Sequence, residues 1–184
     1  MAPSHRLDRF LLSVSQKKCR EAAVLALLYP DEDGEAHLLL TARPDALRDH
    51  AGQIAFPGGR REQGETFEQT ALRETHEEVG ISPGAITVLG ALTPIYIPPT
   101  RFCAYPFVGA VAALPLLTLQ PSEVARVLHV PLFALLDPKT RATGSWNVRG
   151  EPSDVPLYRL GDGDVWGATA MMLAELLAVV REVA

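Results

Sequence analysis

The chain has 184 residues, 47% of them hydrophobic and 21% charged, with a formal net charge of −5 at pH 7. That length suits one domain with a sizeable core, and an acidic balance without any run of Lys or Arg excludes a general nucleic-acid binder. No apolar stretch is long enough to cross a bilayer, which argues against a membrane protein.

Taken in order, residues 1–20 carry basic side chains and helically spaced Leu7, Phe10, Leu11 and Val14. That is the pattern of a short docking helix rather than the continuous core of a signal peptide. Residues 22–29 (AAVLALLY) form an apolar run of strand length, expected for a strand buried on both faces. Pro30 to Gly34 reads as a turn and residues 36–43 as the returning strand of a hairpin. The loop PDALRDHAG then leads through the short segment QIAFPGG into a helix. Thr66 followed by Gln69 has capping-box spacing, and Gly80 with Pro83 beyond it supplies a left-handed cap and a stop.

Residues 86–98 and 102–114 read as two more strands, joined through Pro98, Pro99 and Arg101. A strand over 124–132 precedes a short helix in LFALLD. GSWNVRG and PLYRLGDGDVWG are rich in turn residues, with Gly161 to Gly163 as a hairpin tip. Ala168 to Val183 is a second strong helix, and its Met172, Leu173, Leu176, Leu177 and Val180 make a core face. Strands between a central and a terminal helix predict a single layered α/β domain over residues 1–184. Cys19 and Cys103 form no disulfide framework and lack metal-ligand spacing, so a reducing, cytoplasmic compartment is expected.

The chemistry concentrates on the central helix. At about 100° per residue, Phe67, Ala71, Leu72, Thr75 and Val79 share an apolar stripe, and Glu74, Glu77 and Glu78 crowd beside its edge. Gln69, Arg73 and His76 take the wetter side. Each like-charged pair costs roughly 0.2–0.5 kcal/mol on a helix surface, and a hard divalent cation bound through oxygen offsets that cost. The plain alternative is a solvated acidic face. Such a face interleaves Lys or Arg at i+4 from its acids, and none follows these three at that spacing. The metal reading is the stronger one.

Gly59, Glu65, Arg73, Glu74, Glu77, Glu78, Gly80 and Ile81 resemble the Nudix box, G-x5-E-x7-R-E-U-x-E-E-x-G-U with U aliphatic. Its one departure is Thr75, on the buried stripe, where the exchange bears on packing more than on chemistry. Upstream, residues 39–59 resemble the signature of the coenzyme A pyrophosphatases within that family, L-L-T-x-R-S-x3-R-x3-G-x3-F-P-G-G. Leu39, Leu40, Thr41, Arg43, Arg48, Gly52, Phe56, Pro57, Gly58 and Gly59 match it, and Pro44 replaces its serine. Trp166 to Ala170 and Pro121 to Val124 are weaker echoes of the same subfamily.

The resemblance implies an α/β/α sandwich around a mixed sheet, with Mg²⁺ or Mn²⁺ held by Glu74, Glu77 and Glu78. It implies that Arg73 orients the carboxylates by pairing with Glu65. Arg43, Arg48 and the Gly58–Gly59 turn become substrate-binding residues, since arginine grips phosphate oxygens in bidentate fashion. The implied reaction is hydrolysis of the coenzyme A diphosphate to 4′-phosphopantetheine and adenosine 3′,5′-bisphosphate. For the general base, Glu77 and Glu78 are candidates, but a carboxylate holding metal is a poorer proton acceptor. Glu123, in the loop QPSEV, is the candidate from outside the box. Two other readings stay open: a Nudix pyrophosphatase for ADP-ribose, NADH or a nucleoside triphosphate, and a nucleotide-sensing module without hydrolysis. The partner is a small molecule in the enzymatic readings, and the sequence carries no signal of oligomeric state.

Overall fold

The computed structural model describes residues 14, 18–44, 52–98, 100–148 and 151–183. The docking helix expected near the N-terminus lies outside them, apart from Val14.

Strand β1 (Arg20–Pro30) is the spine of the fold. Its side chains alternate between two cores: Ala23, Leu25, Leu27 and Tyr29 enter one, and Ala26 enters the other. A strand buried on both faces needs a layer on each side. Helix α1 (Phe67–Val79) supplies Ala71 and Val79 to the first core. The C-terminal helix, Gly167–Val183, brings Met172, Leu173, Leu176 and Leu177 to the second. The sheet therefore sits between helices as an α/β/α sandwich, the architecture expected. Fully burying a leucine stabilises by roughly 1.5–3 kcal/mol, and Leu25, Leu27, Leu38, Leu39 and Leu40 are all inaccessible.

The main sheet is mixed. Strand β2 (Ala36–Ala42) pairs antiparallel with β1 across the Asp31–Glu35 turn. The pair then diverges, and residues 54–60 fill the fork. Strand β3 (Ile54–Ala55) lies along β2, and β4 (Gly58–Arg60) lies along Ala22–Val24 of β1. The QIAFPGG segment is thus a wedge between two strands. Further strands follow: β5 (Thr87–Ala91), β6 (Ile95–Ile97), β7 (Phe102–Ala110) and β8 (Arg126–Pro131). β7 runs parallel to β1 and carries β5 and β6 on its other edge, while β8 closes the far edge of β2.

Three sequence expectations change. The strand expected over 86–98 is two strands, because the Thr93 N–H turns from β7 to the Glu175 side chain and Pro94 has no N–H to give; β5 itself carries a register shift at Val88/Gly90. GSWNVRG, read as turns, lies largely within β9 (Arg141–Val148). β9 joins β10 (Glu151–Leu160) and β11 (Gly163–Trp166) in a second, antiparallel sheet. Gly144, Ser145 and Asn147 are poor strand formers by themselves, and pairing with β10 makes the strand. Helix α2 (Leu132–Leu136) precedes that sheet, and the Gly167–Val183 helix that follows it is α3.

The third change concerns the thiols. Cys19 and Cys103 are disulfide-bonded, with Cα atoms 5.7 Å apart. Parallel pairing of β1 and β7 sets Arg20 beside Phe102 and Glu21 beside Cys103, so residues remote in sequence become strand neighbours. Closing a loop of 84 residues restricts the unfolded chain by about 4–5 kcal/mol in the chain-entropy model.

Candidate metal centre

Helix α1 starts at Thr66, whose hydroxyl accepts the Gln69 N–H (3.1 Å) while the Gln69 side chain accepts the Thr66 N–H (2.8 Å). It ends at Gly80, with φ of 81°, whose N–H reaches the His76 carbonyl. Thr75 is fully buried, and its hydroxyl donates to the Ala71 carbonyl at 2.8 Å, so the box departure leaves no unpaired polar group. Between the caps, Arg73 is a hub. Its Nε and Nη2 donate to the two Glu65 oxygens at 2.6 and 3.1 Å. Its Nη1 donates to Glu74 Oε1 and to Glu77 Oε2, both at 2.9 Å, and Nη2 also donates to the Arg60 carbonyl at 3.0 Å. Arg73, then Glu62 N–H and the Thr70 hydroxyl, hold the Glu65 carboxyl down at about 2.

Glu74, Glu78 and Glu123 each place one oxygen within 4.8 Å of the others. Glu78, one turn after Glu74, is only 4% exposed, so it lies deeper than the edge position read from the wheel. Burial pushes its carboxyl up to about 8, with the charges of Glu123 and Glu74 adding to the rise and the Gly58 N–H and Arg43 opposing it. Burial likewise raises Glu74, against the pull of Arg73. Glu78 Oε2 is buried and has no hydrogen-bond partner. Leaving such an atom unpaired costs about 1–3 kcal/mol, more when it is charged. A hard cation with oxygen ligands removes both costs at once. The donor set and the orphaned oxygen therefore fit a divalent ion of the Mg²⁺ or Mn²⁺ type. Glu77 is 52% exposed, is held by Arg73, and is not part of this cluster.

Glu123 arrives from far along the chain. The last carbonyls of α1 lack intrahelical partners, and the loop docks on them: Thr118 N–H donates to Val79 and Gln120 N–H to Glu78, both at 3.0 Å. Glu123 and Val124 N–H groups close a turn onto the Gln120 carbonyl, and Ala125 N–H ties the turn to Ala42 of β2. No local signal marks residues 118–120 as the strap that delivers this acid.

The wedge between β1 and β2 forms the opposite wall. Gly58, with φ of 152°, packs so closely on β1 that a Cβ would run into Ala23 and Val24. A Cβ on Gly59 would overlap the Glu74 carboxylate. Arg43 follows β2, its N–H bonded to the Gln53 carbonyl at 3.1 Å, and it is near enough to Glu78 to lower that carboxyl. Its Nε is buried and unpaired. Arg48 lies outside the described residues.

The model of the NUDIX domain matches residues 20–148. The chain belongs to the Nudix family. Among Nudix relatives, it is 36% identical over 186 residues to the uncharacterized Nudix hydrolase NudL of Cronobacter sakazakii, covering 96% of this chain and 95% of that one. It is 33% identical over 172 residues to the chloroplastic Nudix hydrolase 22 of Arabidopsis thaliana, covering 89% of this chain. The match spans only 56% of the plant protein's length. In fold, it is similar to the Nudix domain of Shewanella oneidensis NrtR, solved with ADP ribose: TM-score 0.57, 16% identity, 99% of this chain and 98% of that one.

Proposed function

We propose that this Nudix protein is a divalent-metal-dependent hydrolase of a diphosphate joined to a larger organic group, and that the substrate is coenzyme A or one of its derivatives. The observation that carries the hydrolase reading is the cluster of Glu74, Glu78 and Glu123 with the Glu78 Oε2 atom buried and unpaired. Glu74 and Glu78 would hold the Mg²⁺ or Mn²⁺ ion, with Glu123 beside it, and the ion when bound neutralises the diphosphate and makes a water easier to deprotonate.

The chain's own residues supply the rest. Arg73 grips Glu65 and Glu74, so the cluster cannot spread under its own repulsion. Arg43 offers its unpaired Nε to a phosphate oxygen beside Glu78. Glu123 enters from an exposed turn, which leaves it the acid best able to accept a proton from the attacking water. Glu77, neutralised by Arg73, is the weaker candidate for that role. Water adds across the P–O–P bridge and each product keeps one of the two bridged phosphates, giving 4′-phosphopantetheine and, with the ribose 3′-phosphate retained, adenosine 3′,5′-bisphosphate.

The coenzyme A assignment is supported by residues 39–59, whose Arg43 and glycine wedge line the cluster. The first competitor is ADP-ribose, the ligand named for the NrtR domain. A panel of coenzyme A, ADP-ribose, NADH and dinucleoside polyphosphates, assayed with Mg²⁺, with Mn²⁺ and without metal, tests the reading. Coenzyme A is expected to be preferred. Equal efficiency on ADP-ribose rejects the assignment, and no metal-dependent turnover of anything leaves a nucleotide-sensing module. We also propose one domain over residues 1–184 acting in the cytoplasm. Disulfides are rare in that compartment, so the Cys19–Cys103 pair would there be held open by cellular reductants and close under oxidation.

A further inference from the structure

Arg61 stands at an unspecified position of the Nudix box, yet its side chain is nearly as fully engaged as that of Arg73. It follows β4 directly, and its backbone N–H donates to the Glu21 carbonyl at 2.9 Å. Its Nε donates to Glu21 Oε2 at 2.8 Å, joined there by Nη2, and its Nη1 donates to the Glu65 carbonyl at 2.8 Å. The guanidinium also lies over Phe67, 5.1 Å from the ring centre, and Phe67 stacks on Tyr105 with ring centres 3.5 Å apart. Strand register puts all of these on one face of the sheet. Ala23 pairs with Gly59 on one side and with Tyr105 on the other, and it faces the core under α1. Side chains alternate along a strand, so Glu21 shares that face, where Glu74 lies against Gly59.

These contacts act on a turn. Residues 61–66 lead from β4 into α1, and Gly64 there has φ of 91° with open space around it. A glycine in such a turn leaves the backbone free to rearrange. Two bonds remove that freedom: Glu62 N–H donates to Glu65 Oε2 at 3.0 Å, and Arg61 holds the Glu65 carbonyl. Glu65 is thereby fixed at both its carboxylate and its backbone. Its carboxylate takes Nε and Nη2 of Arg73, whose Nη1 takes Glu74 Oε1. A continuous chain of contacts therefore runs from Glu21 through Arg61, Glu65 and Arg73 to a member of the carboxylate cluster.

Stability is a poor account of this arrangement. The Arg61 and Glu21 side chains are 31% and 38% exposed, and ion pairs that wet add little to folding. A lysine would serve Glu21 as a point charge, but it lacks the planar fork that reaches a carboxylate on β1 and a carbonyl on the turn together.

We infer that Arg61 is a positioning residue of the metal centre: braced on Glu21, it fixes Glu65 and, through Arg73, sets the Glu74 carboxylate for the cation. This rests on the metal-dependent reading of the cluster and goes beyond it, since Arg61 itself bonds neither Glu74 nor Glu78 nor Glu123.

Calorimetric titration of the protein with Mn²⁺ tests this without turnover. A group bonded directly to a metal ligand governs about tenfold to a hundredfold in metal affinity; Arg61 stands two contacts further out, so Arg61→Ala is expected to weaken Mn²⁺ binding by roughly threefold to tenfold. Arg61→Lys is expected to keep the wild-type urea midpoint and still lose Mn²⁺ affinity, a split that a merely structural role would not produce. In a Glu65→Gln background the further loss from Arg61→Ala should shrink below about twofold, because the route is already cut. Coenzyme A turnover by Arg61→Ala should fall at low Mn²⁺ and recover at saturating Mn²⁺. Unchanged Mn²⁺ affinity in Arg61→Ala, or a loss of the same size in the Glu65→Gln background, overturns the positioning role. Metal-dependent hydrolysis of coenzyme A with an Mn²⁺ affinity indifferent to Arg61 sinks that role alone. An Mn²⁺ affinity that responds to Arg61 in a protein that hydrolyses nothing keeps the role and sinks the hydrolase reading. A wild-type protein that binds no Mn²⁺ sinks both.

Discussion

Arg73 and Arg43 flank the same carboxylates, and the protein treats them in opposite ways. Arg73 spends its donors on its own chain: both Glu65 oxygens, Glu74, Glu77 and the Arg60 carbonyl. Arg43 keeps a buried Nε without a partner, and its charge acts on Glu78, whose Oε2 is equally unpaired. Buried polar atoms are nearly always paired, so those left unpaired are informative. One wall is saturated and therefore rigid; the other is unsatisfied and therefore open to ligands. Substitutions on the first should act on stability and positioning, and those on the second on binding and turnover.

The largest effect is expected at Glu78. Glu78→Gln removes a charge whose burial is uncompensated without metal, so it is expected to lower kcat/KM by roughly a thousandfold or more while leaving the metal-free fold intact or more stable. The pH dependence gives the sign. The folded carboxyl titrates at about 8 against an ordinary 4.5, so the folded state binds the extra proton between those values. The contribution of Glu78 to metal-free stability is then greatest below pH 4.5 and declines as pH rises through about 8. Thermal melts at pH 5 and pH 8 check this: added Mn²⁺ should raise the midpoint more at pH 8, and Glu78→Gln should flatten the metal-free difference. A variant with wild-type turnover and metal affinity would remove Glu78 from the metal set.

Next in size is a contrast between neighbouring acids. Glu123→Gln is expected to lower kcat by roughly a hundredfold or more and shift its pH profile, in the range of general-base catalysis. Glu77→Gln, outside the cluster, should cost less than tenfold. The reverse order, read from steady-state rates across pH, would return the base to the box.

Arg43→Ala is expected to lower kcat/KM by about tenfold to a hundredfold, the worth of one charge-assisted hydrogen bond. Folding stability should hold, since its Nε bonds nothing in the protein. A large fall in the urea midpoint with unchanged kinetics would make Arg43 structural.

The smallest catalytic effect and the clearest stability effect belong to the saturated wall. Glu65→Gln weakens the paired bonds to Arg73, and a loss of about 2–3 kcal/mol is expected from urea unfolding at pH 7. The Glu65 carboxyl sits at about 2 rather than 4.5. Its contribution is therefore present above pH 4.5 and lost as pH falls through about 2. The wild type and the variant should converge in acid; parallel curves down to pH 2 would show that the pair adds nothing.

What the sequence could determine is local. Thr66, Gln69 and Gly80 bound α1 through contacts within a few residues, and the spacing of Glu74 and Glu78 puts both on one side of a helix whatever surrounds it. The two-sided burial of β1 follows from its continuous apolar run, and the core face of α3 from helical periodicity, in the same way. Depth does not. Glu78 is buried because the wedge at Gly58 and Gly59 closes over it, and that wedge exists only because β1 and β2 diverge. Glu123 joins the cluster through a strap hydrogen-bonded to the end of α1, and Cys19 meets Cys103 through parallel pairing across 84 residues. Gly144 and Ser145 become strand only against β10. In each case the deciding free energy comes from a partner distant in the chain, which spacing along the sequence cannot encode and tertiary packing supplies.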